Sequence, residues 1–233
     1  MRYRSSLPGG SEQRPRIRRG VVMSIAEFRR ASRLDPRCPA GARVRRAATD
    51  ISAGRMTVLV DPTCGESTLV VAAECATTES MAFMIRHTSG YVNIAVPEED
   101  CERLHLPRMW PFDGSASSIP AVTVDAVEGV GTGISAADRA HTIRTIADPR
   151  TDRSALSRPG HVAPVIARNT GTGTAEKVVQ LMRTAGMRPM AAMCELVSPV
   201  DATRMATEKE SVHFATDHEL AFLSVFDLAV YSH

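Results

Sequence analysis

Two short motifs hold side chains that can move protons. One is RPGH at 158–161, which ends in His161, and the other is CEL at 194–196, which contains Glu195. Imidazole changes its charge near neutral pH, and a carboxylate is a suitable acid or base partner for it. If the fold brings His161 and Glu195 into one pocket, we expect them to transfer protons to and from a bound substrate. The alternative is structural, since buried polar side chains are commonly paired with a neighbour.

Two further segments could bind a ligand. Ser135 is placed to cap a helix in which Asp138 and Arg139 come early, where a polar network or an anion site can form. The loop NTGTGT at 169–174 could hold a phosphate, although it lacks the lysine of a P-loop. The structural alternatives are an ion pair that shapes the start of the helix and a flexible connection.

The five cysteines form no CxxC pair, so they indicate reduced thiols in a cytoplasmic protein rather than a disulfide framework or a zinc site. They are Cys38, Cys64, Cys75, Cys101 and Cys194.

Alternating strands and helices must position these residues. Apolar runs predict strands at 56–61, 68–73, 91–96, 121–126, 162–167, 190–197 and 220–225. Capping residues and apolar periodicity predict helices at 43–53, 78–87, 98–104, 136–147, 175–186 and 227–233. Segments 107–120 and 148–160 have the composition of loops. This order predicts an α+β fold, a layered α/β domain with a mixed sheet.

Charge divides the chain into two parts. Residues 1–46 hold 13 arginines and 3 acids, about +10, so the remaining 15 basic and 23 acidic residues give about −8. We expect residues 1–42 to form a basic, disordered arm, with a short helix near Ser24, and residues 43–233 to form the folded domain. The arm could bind nucleic acid, be a solvated tail, or partly precede a start at Met23; a nucleic-acid partner is not favoured. No apolar run is long enough to span a membrane.

From about Arg45 onward the sequence resembles 3,4-dihydroxy-2-butanone 4-phosphate synthase of riboflavin biosynthesis. The motifs that carry the resemblance are GISAADRA at 133–140, RPGHV at 158–162, CEL at 194–196, IRH at 85–87, and LM with AG at 181–186. The resemblance implies a homodimer with its site near the subunit interface, Mg²⁺, and conversion of ribulose 5-phosphate to formate and dihydroxybutanone phosphate. We expect no fused GTP cyclohydrolase II domain.

The sequence departs from this family at its acidic loop and its GHTE motif. Thr63, Cys64 and Thr68 stand at positions of a substrate-binding arginine, a metal-binding glutamate and a substrate-contacting aspartate. Thr174 replaces the metal-binding histidine, whereas Glu66 is retained. Mg²⁺ prefers oxygen ligands such as carboxylates, so these changes predict no metal cofactor, with Mg²⁺ only if the family site is retained.

The resemblance implies that His161 and Glu195 are the catalytic residues. Cys64 could be a nucleophile if a base activates it, but a space-filling loop residue is the favoured interpretation. The predicted substrate-binding residues are Glu66, Cys64, Thr132, Ser135, Asp138, Arg139, Arg158, Thr174 and Glu176.

Together these observations predict a diverged, lyase- or isomerase-like enzyme of the synthase family. It would rearrange, dehydrate or cyclise a small carbonyl substrate by acid/base chemistry, in secondary metabolism and without Mg²⁺. One alternative is a non-catalytic binding or partner subunit on the same dimeric scaffold. Another is the ordinary synthase reaction. A heterodimer with an intact relative would supply the missing ligands.

Overall fold

The computed structural model describes residues 39–110 and 118–231. The predicted arm falls mainly on residues 1–38, including the helix near Ser24, and lies outside the described residues. The described chain alternates helices and strands. The helices are α1 (Ala40–Ser52), α2 (Thr78–His87), α3 (Glu98–Arg103), α4 (Ala136–Ala147), α5 (Thr174–Thr184), α6 (Glu208–Asp217) and α7 (Val225–Tyr231). The strands are β1 (Thr57–Asp61), β2 (Glu66–Ala72), β3 (Asn93–Pro97), β4 (Ile119–Pro120), β5 (Val124–Ala126), β6 (Leu156–Ala167), β7 (Ala191–Glu195) and β8 (Ala221–Ser224).

The eight strands form one mixed sheet in the order β4-β6-β3-β7-β2-β1-β8, with β5 paired to β6. The β3–β6 and β1–β8 pairs are parallel, and the other pairs are antiparallel. The predicted α+β class with a mixed sheet is therefore confirmed. β6 begins at Leu156, so the RPGH motif lies within a strand and not in the predicted loop.

Two apolar clusters cover the two faces of the sheet. On the first face Leu69 and Ile94 pack in the cluster that includes residues of α2, α4 and α6. On the second face Val70 and Ala95 pack in the cluster that includes residues of α1, α5 and α7. Neighbouring strand residues alternate between the clusters, as strand geometry requires. The sheet is thus the middle layer of three.

Side-chain caps fix where the helices begin. Ser135 accepts a hydrogen bond from the backbone N–H of Asp138, which confirms the predicted start of α4. A capping box between Thr207 and Glu210 starts α6, a helix that the periodicity analysis missed. The start of α4 is the cap closest to the candidate site, because the 129–135 loop that leads into it approaches His161 at Gly133.

Candidate functional site

Three neighbouring strands place polar side chains on the second face of the sheet. In the register, Asn93 of β3 pairs with Ala163 of β6 and with Met193 of β7. His161 and Glu195 each lie two residues from those partners, toward the same end of the sheet. Because residues two apart share a face, His161, Asn93 and Glu195 project from one side. The fold therefore brings the two predicted proton-transfer residues to one edge.

Asp125 holds the His161 ring in a fixed orientation. Its Oδ2 lies 2.7 Å from His161 Nδ1, and its Oδ1 accepts the His161 backbone N–H at 2.9 Å. An ionised carboxylate only accepts hydrogen bonds, so Nδ1 carries the hydrogen and Nε2 is left free as a base. The Asp125 side chain is 10% exposed and that of His161 is 40% exposed. The imidazole is thus oriented from behind and open to a ligand in front.

Two glycines make room for this pair. A Cβ at Gly133 would lie 2.0 Å from Asp125 Oδ2 and 2.8 Å from His161 Nδ1, and Gly133 has a φ of +81°. A Cβ at Gly160 would lie 2.0 Å from the backbone of Val124. Neither position accepts a side chain without displacing the pair. The glycines of the two motifs therefore serve the His161–Asp125 contact.

Glu195 is a partly buried carboxylate beside Asn93. The Asn93 amide nitrogen lies 3.3 Å and 3.4 Å from the two carboxylate oxygens and donates to them. Burial raises the pKa of Glu195, and the negative charge of Glu66 raises it further. A carboxylate with a raised pKa is a stronger base, which suits it to take a proton from a substrate.

The β1–β2 hairpin brings Glu66 and Cys64 to the same end of the sheet. Thr68 of β2 pairs with Glu195, and Glu66 is two residues away on the same face. Partial burial raises the pKa of the Cys64 thiol to about 11, and the charges of Asp61 and Glu66 contribute. The thiol is therefore protonated at neutral pH, which argues against a thiolate nucleophile.

The helix-start residues of α4 act on the loop next to this site. The Asp138 carboxylate accepts the backbone N–H of Gly133 at 3.0 Å, and Ser135 caps the same turn. Arg139 donates to the carbonyl of Gly90 at 3.0 Å, on the loop before β3. Thr132 lies on the exposed part of the loop. These predicted binding residues surround the site, and Asp138 and Arg139 have structural partners within it.

Other predicted residues make their contacts away from the His161 ring. Glu176 accepts the backbone N–H of Arg168 at 3.1 Å, and Arg168 follows His161 by seven residues of mostly extended chain, roughly 20 Å. Thr174 starts the same helix. Arg158 donates to two backbone carbonyls beside a cavity on the first face. The structure does not bring Thr174, Glu176 or Arg158 to His161 within one chain.

Sequence reasoning missed Asp125 and Asn93. Both are polar residues at buried strand positions, Asp125 in AVTVDA and Asn93 in YVNIAV. A buried polar residue within an apolar strand needs a partner, and this was the signal that could have found them. The sequence could not show that His161 is the partner of Asp125, because a register shift between Val124 and Asp125 sets the β5–β6 pairing.

Comparison with known proteins defines the family. Residues 45–231 match the profile of 3,4-dihydroxy-2-butanone 4-phosphate synthase. The chain belongs to this synthase family. The chain is also 45% identical over 192 residues to the riboflavin biosynthesis protein RibBA of Nocardia farcinica, covering 79% of this chain and 46% of the relative. A RibBA protein of Salinispora arenicola is 45% identical over 195 residues, covering 81% and 46%. The chain thus spans about half the length of these curated relatives.

Solved synthase structures share the fold. One synthase, in complex with two magnesium ions, has a TM-score of 0.74 at 33% identity. The match covers 81% of this chain and 95% of that synthase. The synthase of Candida albicans has a TM-score of 0.75 at 33% identity, covering 82% of this chain and 97% of its own. No helix in the described residues is long and apolar enough to cross a membrane.

The prediction of no metal cofactor is contradicted by the synthase that holds two magnesium ions. Cys64 and Thr174 replace two ligands, but carboxylates remain near them. In the described parts of the chain, no three His, Cys, Asp or Glu side chains converge as a metal site. Mg²⁺ needs only one or two protein carboxylates when water and substrate oxygens complete its shell. Glu66 lies on the same face of the sheet as Glu195 and is an oxygen donor of that kind, so the residues present fit the ion.

Proposed function

We propose that this chain catalyses the reaction of its family, converting ribulose 5-phosphate to formate and dihydroxybutanone phosphate. The observation that carries the proposal is the imidazole of His161, oriented by Asp125 and placed on the same face of the sheet as Glu195. Enolisation, dehydration and C–C cleavage of a ketose phosphate all require protons to be taken and returned at defined atoms.

The side chains divide this work by their chemistry. His161 Nε2 is free to take a proton and return it, because Asp125 occupies Nδ1. Glu195 is a second base of raised pKa, and Asn93 fixes its orientation by donating to the carboxylate. Bound Mg²⁺, held by Glu66 with water and substrate oxygens, would polarise carbonyl and hydroxyl oxygens of the substrate. Asp125 acts as a positioning residue.

The proposal includes a homodimer in which each site draws on both copies. Thr174 and Glu176 lie roughly 20 Å from His161 along one chain, too far to contact the same small substrate. Apposition of a second copy with twofold symmetry could bring the residues around Arg168 to His161. Mixing His161→Ala with a Glu176→Ala variant tests this. In a fully exchanged one-to-one mixture about half of the dimers are mixed and each has one intact site, so shared sites would recover about a quarter of wild-type activity. No recovery with proven subunit exchange would exclude shared sites.

The direct test is formate release from ribulose 5-phosphate with and without Mg²⁺. We expect Mg²⁺-dependent formate release, and a loss of about 100-fold or more in kcat for His161→Ala.

A second candidate is acid/base rearrangement of a different carbonyl compound in secondary metabolism, favoured by Thr63, Cys64 and Thr68 at the substrate-contact positions. It would be supported if wild type released no formate yet turned over another carbonyl substrate in a His161-dependent way. A cytoplasmic location stays a prediction.

A further inference from the structure

A cavity of about 840 Å³ lies on the first face of the sheet, beside α3, the segment after it and β6. Its apolar floor contains Leu106, Leu156 and Ile166, which belong to the first-face cluster. His161 and Glu195 do not line it and project from the second face. This size, with an apolar floor and polar side chains around it, is typical of small-molecule sites. The cavity is therefore separate from the candidate active site.

Two guanidinium groups in this cavity form no ion pair within the described residues, although the charge of Arg153 contributes to lowering the pKa of the neighbouring Asp152. Arg158 donates to the carbonyls of Leu104 at 2.6 Å and Leu156 at 2.8 Å, which leaves other N–H groups of its fork unused. Arg153 lies 3.2 Å from a ring nitrogen of His105 and donates to it. Among residues 39–110 and 118–231, no carboxylate lies within ion-pair distance of either group.

The other charged side chains of the lining do not neutralise the positive charge of Arg153 and Arg158. Arg108 pairs with Glu98 at 3.1 Å, and Glu102 is the other acid of the cavity. Three arginines thus face two glutamates, one of which is already paired. The two backbone bonds of Arg158 hold its side chain in place before any ligand arrives, which lowers the entropic cost of binding.

We propose that this cavity binds a small organic anion, with a phosphate or carboxylate held by Arg153 and Arg158 and an apolar body on the Leu106, Leu156 and Ile166 floor. A guanidinium fork matches two anionic oxygens at once, so both headgroups fit its chemistry. The apolar body distinguishes such a ligand from an inorganic ion. This proposal is independent of the proposed synthase reaction.

Trp110 provides a built-in reporter. It is the sole tryptophan in the sequence, it is exposed, and it follows the cavity residue Arg108 by two positions. Phenyl phosphate, benzoate, inorganic phosphate and benzyl alcohol are titrated into the full chain, with Trp110 emission and calorimetric heat recorded together. We expect saturable binding of phenyl phosphate or benzoate, at least about tenfold weaker binding of inorganic phosphate, and none of benzyl alcohol.

The variant Arg153→Gln removes one guanidinium from an exposed position, and we expect it to weaken binding about tenfold or more. Arg150→Gln is the matched control, because Arg150 pairs with Asp148 on the surface and does not line the cavity. No calorimetric binding of either organic anion would overturn the proposal. So would equal binding of benzyl alcohol, or equal affinities of the two arginine variants.

Discussion

Replacing Asp125 with asparagine should remove the base at His161 while preserving the shape of the site. The backbone N–H of His161 can only donate, so the amide oxygen introduced by Asp125→Asn must stay opposite it, where Oδ1 lies at 2.9 Å. The amide nitrogen then faces His161 Nδ1, the atom now 2.7 Å from Oδ2. An amide nitrogen only donates, so the ring hydrogen is driven to Nε2 and the free base is lost.

The size of this effect follows from the bond that the active tautomer would lose. A hydrogen bond to a charged group contributes about 1.5–3 kcal/mol, so restoring the active tautomer in Asp125→Asn costs about 10- to 150-fold in kcat. The Michaelis constant for ribulose 5-phosphate should change much less, because Asp125 lies behind the ring. Steady-state formate release gives kcat and KM, and ¹⁵N chemical shifts of the His161 ring report its tautomer.

The matched control is Asp148→Asn, since Asp148 pairs with Arg150 on the surface away from the site. We expect its kcat to stay within about twofold of wild type. Thermal unfolding of Asp125→Asn separates a folding defect from the tautomer change. Unchanged kcat together with an unchanged ¹⁵N pattern would refute the positioning role of Asp125.

Three further outcomes test the site. Without divalent cations, Glu66→Gln removes a negative charge that raises the pKa of Glu195, so the carboxyl ¹³C chemical shift of Glu195 should titrate at lower pH than in wild type; an unmoved midpoint would contradict this. Because the folded-state pKa of Glu195 is raised, protonated Glu195 adds to the free energy of unfolding at low pH, and this contribution is lost as pH rises through that pKa. Without divalent cations, Glu195→Gln should therefore unfold at a higher temperature than wild type at pH 7.5 and lose this advantage near pH 4, whereas a lower Tm at pH 7.5 would count against it. Gly133→Ala should lower both Tm and kcat, the latter by about tenfold or more, because its Cβ would collide with Asp125 at a φ of +81°; wild-type kinetics would be inconsistent with the described packing.

The sequence predicted much of the scaffold, because local signals and tertiary packing agree there. The apolar strands on either side of α2 and the Ser135 cap of α4 are examples. Two elements were missed for identifiable reasons. Pro159 and Gly160 are typical of loops, and they hid the first half of β6, whose partner is the short β5. The capping box of Thr207 and Glu210 was a readable signal for α6 that the apolar pattern did not reinforce.

The site could be predicted only in part. His161 and Glu195 were predicted as the catalytic pair from motifs that resemble those of the family, and the strand register brings them to one end of the sheet. The roles of Asp125 and Asn93 depend on contacts across strands, which no local pattern encodes. The separation of Thr174 from His161 is likewise set by the direction of β6 and not by motif order.

The most direct test of the central claim is formate release from ribulose 5-phosphate by the purified chain with Mg²⁺, measured beside His161→Ala. The account predicts formate in a one-to-one ratio with the ribulose 5-phosphate consumed, and a decrease of about 100-fold or more in the variant. Equal formate release by wild type and His161→Ala, or none from either, would contradict it.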